Sequence, residues 1–120
     1  MRIPRNPYGT LDRPPWSAQA VRDHRALDLA FGLRRLVIPE PLHAAVTEYV
    51  VNRRLVDRRQ PGRFLVALLQ NDLRAAVTLA DLENEIALGR WITLLTEYVP
   101  AECWGSPERV SAWLEGVETP

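Results

Sequence analysis

Apolar residues in this chain recur three and four apart and nowhere alternate in twos over a useful length, so α-helix is the element it can build. The cleanest case follows Pro39-Glu40-Pro41. Leu42, Ala45, Val46, Tyr49 and Val50 fall at i, i+3, i+4, i+7 and i+8, painting one stripe of a helix that runs to about Asn52. Pro41 suits its first turn, where an amide has no partner to lose.

Four more helices are expected, the first of them from a spacing that is only partly helical. Ser17 is placed to cap the first, in which Val21, Leu27, Leu29, Phe31, Leu33 and Leu36 supply apolar surface out to about residue 35, with Gly32 as its weak point. The third is expected from Arg63 to about Leu79, with Phe64, Leu65, Leu68, Leu69, Leu73, Ala76 and Val77 at helical intervals. It is apolar around its first two turns, which makes it the central core element. Asp81 caps the fourth, from Leu82 to about Tyr98. Its inner face is Leu88, Trp91, Ile92, Leu95 and Val99, and Asp81, Glu83 and Glu85 lie where the helix dipole favours negative charge. Pro100 stops it. Ser106, Pro107 and Glu108 then open a last helix that carries Val110, Trp113 and Leu114 inward and ends near Gly116.

Ahead of these, residues 1–16 hold four prolines, which fix φ and remove amide donors; they are read as an extended arm. Tyr8 and Trp16 are its candidate anchors onto a core or a neighbouring subunit. The expected fold is therefore all-α: a single compact domain of about five helices over residues 17–120, with an extended proline-rich N-terminal arm.

A chain of 120 residues with 47% hydrophobic and 25% charged residues has an ordinary globular composition. No apolar run approaches the roughly 20 residues that span a bilayer, so no membrane is expected. Met1-Arg2-Ile3-Pro4-Arg5 is followed by no apolar stretch, which argues against a signal peptide and for a cytoplasmic setting. Cys103 is the single cysteine, excluding an internal disulfide and a cysteine-rich zinc site.

Every basic residue is arginine. Twelve arginines against six acids leave residues 1–63 at +6, and three against nine leave the remainder at −6. Such halves can neutralise one another within the fold or between subunits, or the first can meet an anionic partner.

The succession Pro61-Gly62-Arg63-Phe64-Leu65, Asn71-Asp72-Leu73, Ala80-Asp81-Leu82-Glu83-Asn84 and Val99-Pro100-Ala101-Glu102-Cys103-Trp104-Gly105-Ser106-Pro107-Glu108 resembles a set of short helical proteins encoded by bacteriophages and other mobile elements. The resemblance spans roughly residues 37–115. It implies a small bacterial or viral accessory protein and brings no activity and no functional residues with it.

Among the chemistry-bearing residues, the arginines of the 53–63 link form the best candidate anion site: Arg53, Arg54, Arg58, Arg59 and Arg63. Asn71 and Asp72 interrupt an apolar helix. Either they fix helix register through hydrogen bonds or, with Asn84, they line a polar pocket. Trp104 joins Tyr8 and Trp16 as a candidate interface ring, since tryptophan is enriched at binding hot spots. Cys103 precedes a helix start, but neither His24 nor His43 is tied to it by a signature, so a buried structural thiol is the simpler reading. The histidines and carboxylates show no paired-ligand spacing, and no catalytic residue, metal or cofactor is expected.

These readings converge on a non-enzymatic helical accessory protein that binds a protein partner, a host protein or itself, as a homo-oligomer. One alternative is a sequestering binder of an anionic, phosphate-bearing small ligand such as a signalling nucleotide. Another is nucleic-acid binding through segment 53–63, against which stand a sequence pI near 6.7 and the absence of any stacking or helix-turn-helix signature.

Overall fold

The computed structural model describes residues 17–55 and 62–116. The proline-rich arm with Tyr8 and Trp16, and Arg58 and Arg59 of the link, lie outside the described residues. Among those described there is no strand, and seven α-helices replace the expected five: α1 Ala18–Arg35, α2 His43–Asn52, α3 Gly62–Leu69, α4 Leu73–Leu79, α5 Leu82–Ile86, α6 Leu88–Tyr98 and α7 Pro107–Glu115. Short 3₁₀ turns at Glu40–Leu42 and Ala101–Cys103 precede α2 and α7.

The two additional helices come from breaks that periodicity does not register. The expected 63–79 helix divides at Gln70-Asn71-Asp72. Asn71 adopts a left-handed backbone (φ 61°), its N–H bonds back to Leu68 O at 3.0 Å, and the Asp72 N–H bonds to Ala67 O at 2.9 Å. That paired 5→2 and 6→1 closure is how a helix ends on an αL residue, and asparagine tolerates αL better than most side chains. Asp72 then begins the next helix, its carboxylate accepting from the Ala75 N–H at 3.1 Å. The expected 82–98 helix bends at Ala87 (φ −85°, ψ 4°), which ends α5 and begins α6.

A buried side-chain relay holds this second elbow. The indole N–H of Trp91 donates to Asn84 Oδ1 at 2.9 Å, and the Asn84 side-chain amide donates to Asp81 Oδ1 at 2.9 Å. Asn84 is the one buried polar side chain among the described residues, so its amide had to be satisfied from within. The caps expected at Ser17, Asp81 and Ser106 are each formed, to Ala20, Asn84 and Arg109 respectively.

The core runs through the centre of the domain. Leu68, Leu69 and Leu95 are fully buried alongside Leu29, Val46, Tyr49, Phe64 and Trp91. Phe64 and Trp91 meet edge to face at 5.9 Å. The last helix is sewn in by polar bonds: Trp113 Nε1 donates to Tyr49 O at 2.8 Å, the Tyr49 hydroxyl donates to Cys103 O at 2.5 Å, and the Gly105 N–H donates to Leu69 O at 2.8 Å.

Some of the apolar residues of these helices stand in solvent. Leu27 and Phe31 are 69% and 55% exposed, and Leu73 and Val77 of α4 are also exposed. At about 100° per residue, Leu27 and Phe31 stand on the side of α1 opposite Leu29 and Leu33. This helix is apolar on two faces: Leu29 and Leu33 enter the core, while on the other Phe31 meets the Tyr98 ring at 6.1 Å and stays half in solvent.

Gly32, expected to weaken α1, is instead where α1 and α6 approach. A Cβ at this position would sit 2.5 Å and 2.7 Å from ring carbons of Tyr98. Gly89 on α6 has nothing within 4 Å. The same substitution should therefore have opposite signs at the two sites. Gly89→Ala is expected to gain about 0.5–1 kcal/mol from helix propensity. In Gly32→Ala the overpacking outweighs that gain, for a net loss of about 1–2 kcal/mol. Urea unfolding of both variants measures it.

Candidate binding surfaces

The described arginines of the link go three ways. Arg53 is the left-handed cap of α2 (φ 57°), and its guanidinium carbon lies 3.8 Å from the Trp113 ring centroid. Arg25 of α1 reaches the same ring at 5.1 Å, so one indole carries two cations. Arg54 pairs with Glu48, Nε to Oε1 at 3.2 Å. Arg63 stands exposed in the first turn of α3 and borders a separate groove. Arg53 thus packs against the Trp113 ring, and Arg63 opens onto a cavity.

That groove lies between α3, α4 and α7 and has a volume of about 500 Å³. Its floor is aliphatic: Leu55, Val66, Leu79, Val110 and Leu114. Arg63, Gln70, Asp72 and Ser111 supply its polar atoms. The structure therefore brings Arg63 and Asp72 together, as members of one site, and leaves Arg53, Arg54 and Asn71 off it. Asn71 is exposed, spent on the left-handed turn that sets up Asp72.

A second surface was not singled out from the sequence. Val37, Leu82 and Ile86 are 68%, 70% and 69% exposed. Val37 and Ile86 line a common groove of about 520 Å³ with Ile38, and Leu82 lies one turn before Ile86 on α5. Arg34, Arg90, Glu40 and Glu83 surround it, two of each sign. Val37 occupies the left-handed position that ends α1 (φ 53°), with its N–H on Arg34 O and the Ile38 N–H on Leu33 O. A β-branched residue there costs roughly 1–3 kcal/mol of backbone strain. A signal existed in the sequence: Leu82 and Ile86 are four apart but off the face of Trp91 and Leu95.

Trp104 and His43 each have contacts within the fold. Trp104 is half-buried against the core, and its carbonyl accepts from Arg109 at 3.3 Å. His43 Nε2 is hydrogen-bonded to Ile38 O at 2.7 Å. Among the described residues no group of three metal-ligating side chains is assembled. A third cavity, of about 400 Å³, gathers His24, Arg25, Asp28, Glu97 and Glu102, of which Arg25, Asp28 and Glu97 already have partners. No described helix is long and apolar enough to cross a membrane.

No protein-family model matches the chain, and no curated protein or solved structure shows significant similarity to it.

Cys103 is buried, and loss of hydration pushes its thiol up from 9.0 to about 12, with the neighbouring Glu102 charge adding to the effect. The thiol is therefore protonated at neutral pH and sealed from reagents. Two outcomes are expected. Iodoacetamide labels Cys103 only after unfolding. Above pH 9 the unfolded chain releases this proton while the folded chain keeps it, so stability is complete below pH 9 and falls as pH climbs toward 12. Comparing the alkaline slope of unfolding free energy with that of Cys103→Ala isolates the contribution, which the variant lacks.

Proposed function

We propose that this chain is a non-enzymatic accessory protein, of the kind its motif order resembles, that acts by binding protein and does so as a homo-oligomer through the Val37–Leu82–Ile86 surface. The observation that carries the reading is the exposure of these three apolar side chains, of which Val37 and Ile86 line one groove and Leu82 lies a turn before Ile86. Scattered single apolar residues are ordinary on a protein surface, whereas a grouped set marks a contact region.

Two features favour a second copy as the occupant. The rim holds Arg34 and Arg90 with Glu40 and Glu83, so a two-fold pairing can set each sign against its opposite. The strained valine also fits. Its backbone costs stability in the free chain, and its side chain is repaid only where something covers it. Three apolar side chains make a small interface, so association in the micromolar range is expected.

The arginine arrangement gives less support to nucleic-acid binding. Arg53 is stacked on Trp113 and Arg54 is paired with Glu48, which leaves no shared basic face for these two to present to phosphates.

Sedimentation velocity over a concentration series tests the reading. The expected species is twice the 13.7 kDa chain, reverting to monomer in Ile86→Arg. Val37→Gly is expected to weaken association while raising the unfolding midpoint, because glycine relieves the left-handed strain. A strict monomer at about 300 μM, or a dimer indifferent to both substitutions, contradicts it.

A further inference from the structure

We infer that the groove between α3, α4 and α7 binds a small aliphatic zwitterion, with the chemistry of an apolar amino acid or dipeptide. At about 500 Å³ it falls among ligand-sized cavities, and its composition is theirs as well: an apolar floor with a few polar groups around it.

The ligand class follows from what each wall offers. Arg63 presents a planar fork of donors that matches a carboxylate in bidentate fashion. No ion pair joins it to Asp72, although both line the groove, and no other described side chain is bonded to it. Asp72 uses Oδ1 to cap α4 and keeps acceptor capacity for an ammonium. The Gln70 amide and Ser111 hydroxyl add a donor and an acceptor each. Leu55, Val66, Leu79 and Leu114 supply the surface for an aliphatic side chain.

The same walls select against other anions. A phosphate would gain Arg63 but face the Asp72 carboxylate. A nucleotide would find no aromatic ring in the described lining on which to stack its base. One fixed cation and one fixed anion over an aliphatic floor match a molecule carrying both charges and an alkyl body. The inference is independent of self-association, since the two grooves share no lining residue.

Titration calorimetry of the full chain with leucyl-leucine tests the assignment, with hexanoate, hexylamine and inorganic phosphate as comparison probes. Leucyl-leucine is expected to bind, and to bind more tightly than any of the three. Arg63→Gln and Asp72→Asn are each expected to weaken it by at least about tenfold. Asparagine retains the α4 cap, so the second variant keeps the fold, and circular dichroism of both variants confirms their helicity. Hexanoate binding should depend on Arg63 and be unharmed by Asp72→Asn. The assignment is overturned by the absence of heat with leucyl-leucine at about 10 mM, by binding indifferent to either substitution in a folded variant, or by phosphate binding as tightly as the dipeptide.

Discussion

The described helices are joined by buried ring donors, Tyr49, Trp91 and Trp113, each of which reaches a hydrogen-bond acceptor in another stretch of chain. Trp113 of α7 bonds the carbonyl of Tyr49 on α2, and Tyr49 in turn bonds the carbonyl of Cys103 in the turn before α7. Gly105 ties the same turn to the end of α3. Trp91 closes the α5–α6 elbow through Asn84. Each of these groups is costly to bury unpaired, so each bond fixes where one element sits against another as well as contributing to stability. The Arg25 and Arg53 guanidinium groups on the Trp113 ring extend the same anchor to α1 and the end of α2.

Both candidate surfaces depend on that stitching. With α7 drawn onto α2, Val110 and Leu114 become one wall of a groove whose other walls come from α3 and α4. The turn at Asn71 and Asp72 brings a carboxylate to the groove that Arg63 also lines. On another part of the molecule, the bend at Ala87 gives α5 a different face from α6. Trp91 points inward while Leu82 and Ile86 stand in solvent near the strained end of α1. The turn at Asn71 and Asp72 and the bend at Ala87 thus set where the residues of the two surfaces stand.

Helix type, caps and stops were legible because they are local chemistry. Ser17, Asp81 and Ser106 cap where the sequence places them, Pro107 sits at a first position, and Leu42, Val46, Tyr49 and Val50 of the second stripe are buried, with Ala45 partly so. Asn71 was read as an interruption, but its left-handed backbone is set by closure onto Leu68 and is not visible in periodicity. Ala87 carries no breaker signature at all. The larger gap concerns exposure. Spacing identifies apolar surface without saying whether anything covers it, and the side of α1 that carries Leu27 and Phe31 is left largely exposed. At the site, Arg63 and Asp72 were both named, yet the grouping by sequence proximity was not the grouping in space. Arg53, ten residues away, packs on an indole from the far end of the chain.

Equilibrium urea unfolding of Tyr49→Phe, followed by both circular dichroism and tryptophan fluorescence, tests the stitched core most directly. The substitution keeps the ring and deletes one hydroxyl, leaving Cys103 O buried without its donor. The expected result is a single transition shared by both probes, shifted by a loss of about 1–3 kcal/mol. An unchanged midpoint, or a tryptophan signal that melts apart from the helical signal in the wild-type chain, would contradict the view that these bonds join the helices into one cooperative unit.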